Sequence, residues 1–186
     1  KYELGLFIKQ THGPVNFRDS NVCGILGYTS ISSSASKSNA LAKHEFSQTF
    51  EHALSTLDHR GPDASGVQLL WEENVFLGHT RLAIQDLSPS GAQPMVSANE
   101  RLSIVFNGEI YNFPVLKEHL VSLGYSFCSN TDTEVILCLF DKYSLDCFKM
   151  LDGIFSLAIF DKDTAQLTVA RDGFGIKPLH YYLGNE

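Results

Sequence analysis

Two helical segments set back to back between strand-like runs constrain the fold of this chain more than any other feature. The first, about residues 114–123, begins with Pro114, whose fixed φ and missing N–H suit the first helical position, and stops at Gly124, the residue type that most easily turns left-handed past a helix end. The second, about residues 132–144, starts at Thr131 with Glu134 three residues on, the spacing of a capping box. Residues 102–106 before them, and 154–160 and 166–171 after them, read as strands, the last two joined by a turn at Asp161–Thr164. A final strand is expected near 178–183, and a short helix or turn at 145–151. Upstream lie a β-rich run at 22–28, strands near 65–71 and 75–80, and a helix at 45–58 whose Phe46, Phe50, Ala53, Leu54 and Leu57 recur at helical spacing. Strands that lead, helices grouped in the middle and strands that return are the order of an α+β fold with antiparallel sheets and helices packed outside. Ser-rich residues 29–40 and Pro/Ser/Gly-rich residues 85–99 read as loops. Residues 1–21 show no period and carry the turn signal Thr11-His12-Gly13-Pro14, which predicts a loosely ordered arm.

At 186 residues the chain is long enough for one domain with a sizeable core. A net charge of −7 without Lys/Arg clusters argues against nucleic acid or an anionic membrane as the main partner. No apolar run is long enough to cross a bilayer, and there is no signal-peptide pattern. Cysteines 23, 128, 138 and 147 form no CxxC pair, so neither a zinc ribbon nor a thioredoxin motif is read, and reduced thiols in a cytoplasmic protein are expected. His52, His119 and His180 lack metal-ligand spacing, and no metal site is predicted. Lys1 is not an initiator Met and the last strand is barely finished, so a piece of something longer is the expectation.

The chemistry-bearing motifs begin at Cys23, in Val22-Cys23-Gly24-Ile25-Leu26-Gly27-Tyr28. By itself such a cysteine is most often a small buried hydrophobe. Downstream come His59-Arg60-Gly61-Pro62-Asp63, then Gly78-His79-Thr80-Arg81-Leu82-Ala83-Ile84, then Gly91-Ala92-Gln93-Pro94-Met95. Asn107-Gly108-Glu109-Ile110-Tyr111-Asn112, Ser129-Asn130-Thr131-Asp132-Thr133-Glu134 and Arg171-Asp172-Gly173-Phe174-Gly175-Ile176-Lys177-Pro178-Leu179 follow. Taken singly, Asn107-Gly108 after a β run signals a type I′ hairpin, Arg81 a solvated strand-edge charge, and Asp132 a first-turn acid favoured by the helix dipole. Gly173 and Gly175 around Phe174 suggest a backbone bend, since the Lys-Ser/Thr of a phosphate loop does not follow. In this order, over residues 23 to 183, the set resembles the class II glutamine amidotransferase (glutaminase) domain of glutamine-hydrolysing asparagine synthetases.

The resemblance implies an N-terminal-nucleophile hydrolase fold, a four-layer α/β/β/α sandwich, and a reaction, glutamine to glutamate and ammonia. Cys23 would be the nucleophile, with its own α-amine as general base: that amine titrates near 7.7–8.0, whereas a thiol near 8.5 needs its proton removed. Asn107 and Gly108 would supply oxyanion donors. Arg81 would hold the carboxylate of glutamine, and Asp132 and Glu109 its ammonium, with Leu82 and Ile84 lining the pocket. Arg60 and Asp63 are read as an ion pair fixing their loop. The resemblance implies no cofactor in this chain, since ATP and Mg²⁺ belong to the ATP-pyrophosphatase domain expected as its C-terminal partner. It leaves a homodimer open.

Two departures stand out. Twenty-two residues precede Cys23, so its amine lies in the Val22–Cys23 peptide bond. A mis-assigned start at Val22, a cleaved propeptide, or a persistent arm on a silent domain would each account for residues 1–22. The glutaminase domain, residues 23–186, is also expected to be cut short at its C-terminus, and no second, ATP-binding sequence is present. Three readings follow: an asparagine-synthetase-type glutaminase, a glutaminase serving another acceptor, and a catalytically silent fold kept as a structural or interaction domain.

Overall fold

Apolar residues at alternate positions give a strand one buried face, and here they build two antiparallel sheets. The computed structural model describes residues 4–9, 23–30, 40–82 and 89–185. The strands are β1 (Leu4–Lys9), β2 (Gly24–Ser30), β3 (Ala64–Leu70), β4 (Val75–Arg81), β5 (Met95–Val96), β6 (Leu102–Ile110), β7 (Gly153–Asp161), β8 (Gln166–Arg171) and β9 (His180–Asn185). The helices are α1 (Ala40–Ser55), α2 (Phe113–Ser122) and α3 (Asp132–Tyr143). One sheet has the order β3-β4-β2-β1-β9, the other β5-β6-β7-β8.

Three apolar clusters separate four layers. Leu26, Tyr28 and Phe76 on one face of the first sheet pack against Phe50 and Leu54 of α1, with Leu57 just beyond it. Ile25, Val75 and Leu77 on the opposite face meet Val105, Ala158 and Phe160 of the second sheet. The outer face of that sheet, with Leu102, Ile104, Phe106 and Leu157, packs against Leu116 and Leu120 of α2 and Val135 and Leu139 of α3. The result is the expected α/β/β/α sandwich. One polar side chain also crosses between the sheets: His79 of β4, 1% exposed, meets the carbonyl of Phe106 on β6 through Nε2 at 3.2 Å.

Four local expectations change. The arm is not loose throughout: Leu4–Lys9 is a strand paired antiparallel with β2 on one side and β9 on the other. Leu4-Gly5-Leu6-Phe7-Ile8 is a short continuous apolar run, which carries no periodic signal although its composition suits a strand. Helix α1 starts five residues early and ends at Ser55, after which Leu57, Asp58 and Arg60 make three-residue-back turn bonds to Leu54, Ser55 and Leu57. Asn107-Gly108 is no hairpin turn, because β6 runs on to Ile110 in register with β7. The Thr131 hydroxyl does cap α3 by accepting from Glu134 N–H at 3.3 Å, but the Glu134 carboxylate reaches further back than a capping box requires, to the N–H groups of Cys128 and Ser129 at 2.8 and 2.7 Å.

Burial holds the His79 ring well below the ordinary histidine value, at about 4. Above pH 6.5 both folded and unfolded chains carry it neutral. As pH falls from 6.5 toward 4, the unfolded chain takes the proton and the folded one does not, so stability drops by on the order of 3 kcal/mol. Denaturant midpoints measured from pH 7 to 4.5 are therefore expected to fall more steeply for the unsubstituted chain than for His79→Gln.

Candidate active site

The core register decides which side chains share the inter-sheet layer. Val75 and Leu77 of β4 lie in it, so His79 and Arg81, at two-residue steps, point the same way. Ile25 of β2 lies there, and so does Cys23 immediately before the strand. Opposite them Val105 of β6 is in the layer, followed by Asn107 and Glu109. Cys23 and Arg81 from one sheet and Asn107 and Glu109 from the other thus meet at one end of the sandwich.

The sulfur of Cys23 accepts from the N–H of Leu82 at 3.4 Å and lies 3.7 Å from its carbonyl. Burial raises the thiol above its ordinary value, and the Leu82 N–H, Arg81 and Lys177 only partly offset this. The resting group is therefore a thiol that needs a base. Behind it, the N–H of Gly24 donates to Thr80 Oγ1 at 3.1 Å, and that hydroxyl donates to the carbonyl of Leu57 at 3.1 Å. The first residues of β2 are thereby pinned to β4 and to the turn after α1.

The His59–Asp63 run closes on the same end. Asp63 N–H donates to the carbonyl of Arg81 at 3.0 Å, and Pro62 forms a parallel bridge with Arg81. A side chain at Gly61 would strike the backbone of Thr80, so only glycine lets this loop lie flat on β4. Arg60 is 1% exposed and donates through Nε to the carbonyl of Cys23 at 3.2 Å. Backbone bonds thus hold the loop on β4, and the Arg60 guanidinium reaches the backbone of Cys23. Arg81 lies across Gly91, where an added Cβ would come within 2.6 Å of Nη2 and 3.3 Å of Thr131 Cγ2, so its guanidinium sits beside the start of α3.

Asp132 opens α3, is 5% exposed, and accepts the N–H of Ile110 through Oδ2 at 3.0 Å. Burial raises its carboxyl to about 6 against the pull of backbone N–H donors, and the nearby charge of Glu109 adds to the rise. Gly108 lies between Phe106 and Ile110 on β6. Its N–H points out of the same strand edge as theirs, away from β7, because residues two apart share an edge. A Cβ at Gly108 would collide with Ile154 and Phe155 of β7, which explains the glycine. Of the candidate residues, Cys23, Arg81, Leu82, Asn107, Gly108, Glu109 and Asp132 are brought together; Ile84 lies outside the described residues.

Sequence reasoning missed Lys177 as a neighbour of Cys23. Burial, then the like charge of Arg60, lower its ammonium below the lysine value, while Cys23, Glu109 and Asp172 pull the other way. Asp172 positions it: its carboxylate accepts from the N–H groups of Phe174, Ile176, Lys177 and Phe155 at 3.0–3.2 Å. Burial alone would raise Asp172, yet these four donors hold it below the ordinary carboxylate range. The Arg-Asp-Gly-Phe-Gly-Ile-Lys spacing contained this signal, an acid followed by a tight bend and a cation.

If Asp132 receives a cationic group, the sign of its pH effect follows. Above about 6 it is an anion; below, it takes a proton and loses its attraction. Below about 6 the fall in kcat/KM for an α-amino substrate is expected to steepen by about a further tenfold per pH unit beyond the fall caused by protonation of the Cys23 amine, and a profile with no added slope down to pH 5 would remove Asp132 from that role.

Known proteins bear on this geometry. A family model described as a glutamine amidotransferase domain matches residues 22–186. Asparagine synthetase [glutamine-hydrolyzing] 1 of Bacillus subtilis is 39% identical over 150 residues, covering 77% of this chain and 23% of its own. The putative asparagine synthetase [glutamine-hydrolyzing] 2 of Methanocaldococcus jannaschii is 41% identical over 147 residues, 70% of this chain and 28% of its own. Amidase chry2 of Gibberella zeae is 39% identical over 134 residues, 72% of this chain and 20% of its own. The chain thus spans 20–28% of the length of these curated relatives. A solved structure described as the allosteric regulatory enzyme of purine biosynthesis shares the fold, with a TM-score of 0.50 at 18% identity over 96% of this chain and 35% of that one. With nearly everything from Val22 onward matched by one family model, this chain belongs to the glutamine amidotransferase domain family.

Proposed function

We propose that the chain hydrolyses the side-chain amide of glutamine through Cys23 once the α-amine of that residue is free. The observation that carries this is the meeting of Cys23 and Arg81 from one sheet with Asn107, Gly108 and Asp132 from the other side of the same gap. Arg81 receives the α-carboxylate of glutamine in a bidentate pair, while Asp132 and Glu109 receive the ammonium. The amine of Cys23 takes the thiol proton, and the thiolate attacks the amide carbon. Negative charge forms on the amide oxygen, where the Asn107 side-chain amide and the Gly108 N–H donate to it. The protonated amine passes its proton to the leaving nitrogen and ammonia departs, leaving a thioester. Water, deprotonated by the same amine, then releases glutamate and restores the thiol.

In the Val22–Cys23 peptide bond that nitrogen is an amide and not a base, so the uncut chain is silent. The test keeps the whole chain through folding. Asp19–Val22 is replaced by a protease recognition tetrapeptide cut at its end, and cleavage after folding leaves Cys23 first without removing β1 from the sheet. Glutamate and ammonia are then measured in equal amounts, with asparagine as a control substrate. A folded, fully cut chain that leaves glutamine intact overturns the proposal.

The ammonia is assigned to an ATP-dependent acceptor domain, following the names of the asparagine synthetase relatives, and ATP and Mg²⁺ are assigned to that domain alone. The similarity to Amidase chry2 favours, as a second reading, an acceptor other than aspartate. A reducing compartment such as the cytoplasm suits a nucleophile that must remain a thiol; all four cysteines are free. Among the described residues no helix is long and apolar enough to cross a membrane.

A further inference from the structure

Among the described residues, the edge of β6 that faces away from β7 has no neighbouring strand where the chemistry is placed. Along β6 the even-numbered residues turn N–H and C=O away from β7, as shown by Ser97 N–H bonding the carbonyl of Leu102, while the odd ones face β7, as with Lys162 N–H on the carbonyl of Arg101. Strand β5 pairs only with Ser103 and Ile104. From Phe106 onward, side chains stand in for the absent strand. Gln93 Oε1 accepts the Phe106 N–H at 2.6 Å, His79 Nε2 donates to the Phe106 carbonyl at 3.2 Å, and Asp132 accepts the Ile110 N–H at 3.0 Å. Gly108, between these two plugged positions, is the oxyanion donor of the reading above.

Gln93 and His79 are both anchored elsewhere. Gln93 Nε2 donates to Thr133 Oγ1 of α3 at 3.4 Å, and its carbonyl is pressed on Gly66 of β3, where a Cβ would collide with it. Gly66 is the cross-strand partner of His79 on β4. The Gln93 backbone and His79 therefore meet at one cross-strand pair of the first sheet, and their side chains grip the two peptide groups that flank Phe106 in the second. His79 must carry its proton on Nε2 to donate to a carbonyl, which leaves Nδ1 bare, and that buried nitrogen has no hydrogen-bond partner among the described residues. An orphaned buried nitrogen is a cost that calls for a compensating role.

We propose that Gln93 and His79 are positioning residues for the oxyanion site: gripping Phe106 from both of its backbone groups, they fix the direction of the Asn107 side chain and the Gly108 N–H relative to Cys23. This rests on the glutaminase reading. It concerns formation of the tetrahedral intermediate and not the holding of glutamine, which Arg81 and Asp132 perform. Loss of either grip should therefore slow the chemical step and leave substrate affinity nearly intact.

The test uses the full chain cut in front of Cys23 after folding, as unsubstituted protein and as Gln93→Met, His79→Leu and His79→Gln. Gln93→Met and His79→Leu are expected to lower kcat by about 10–100-fold, less than outright loss of an oxyanion donor. KM should stay within about threefold. Alkylation of Cys23 by iodoacetamide, which needs no oxyanion donor, should keep its rate. His79→Gln, which keeps a nitrogen donor at similar reach, should recover most of the kcat. Unchanged kcat in both variants, an equal loss of alkylation, or a His79→Gln as slow as His79→Leu would each overturn the proposal. Amide hydrogen exchange decides independently of turnover: in the uncut Gln93→Met chain the peptide spanning 105–110 should lose protection, and unchanged protection overturns the proposal. Should Gln93→Met or His79→Leu fail to fold, the other variant and the His79→Gln comparison still decide. Absence of turnover in the unsubstituted cut chain counts against the glutaminase reading, and the exchange result then stands alone for this one.

Discussion

Cys23→Ala, in the chain cut in front of residue 23, is expected to release no ammonia above background. Loss of a nucleophile that acts as one unit with its base costs on the order of 10⁶-fold in kcat. The fold should be nearly indifferent, because Cys23 is only half-buried and its sulfur makes weak, long contacts with Leu82. The uncut chain with Cys23 intact should be as silent as the alanine variant, since the Val22–Cys23 bond removes the base while leaving the thiol raised by burial. Ammonia release assayed on four samples, cut and uncut with Cys or Ala, separates nucleophile from base. Equal turnover by cut and uncut chains would show that the α-amine is not the base. In that case Lys177, already lowered by burial and near the sulfur, becomes the group to replace.

Asn107→Ala should lower kcat by about 10²–10³-fold with a smaller change in KM. Asn107 is 2% exposed and stands in the inter-sheet layer opposite Cys23, held in its strand by the β7 ladder. In the proposed reaction its amide donates to the charge that develops on the substrate oxygen. Asn107→Asp keeps the shape and exchanges the donor for an anion, so it should lose at least as much. Steady-state kinetics on the cut chain check both, with circular dichroism to confirm the fold. A loss appearing in KM alone would move Asn107 from the oxyanion to ground-state binding.

Much of the fold was legible because its signals are local. Pro114, Gly124 and Thr131 marked ends of α2 and α3, and Gly124 does sit at φ +93° just past α2. The paired strands β7 and β8 followed from their turn and apolar content. Signals failed where a distant partner decides. Asn107-Gly108 has turn chemistry, but nine residues of β6 find partners on β7, and that ladder overrides a two-residue preference. Leu4–Lys9 has no period to read and becomes a strand through pairing on both edges.

The candidate site divides in the same way. Residue types and order within short motifs pointed to Cys23, Arg81, Asn107, Gly108, Glu109 and Asp132 through the family that those motifs resemble, since each residue taken singly has an ordinary structural reading. The motifs could not say that Arg60 would turn to the carbonyl of Cys23, that both backbone groups of Leu82 would meet the sulfur, or that Lys177 would stand within reach of its charge. Gln93 and His79 looked like ordinary loop and strand residues. Their part appears only when the backbone groups on the open edge of β6 are followed to their partners. By itself the amino-acid sequence determined the order of strands and helices, through capping, turn residues and alternation over a few positions, and the chemical inventory; the four-layer order came from the family that its motifs resemble. The tertiary structure alone decided the aim of the inventory, because orientation comes from hydrogen bonds between residues 13 to 59 positions apart along the chain.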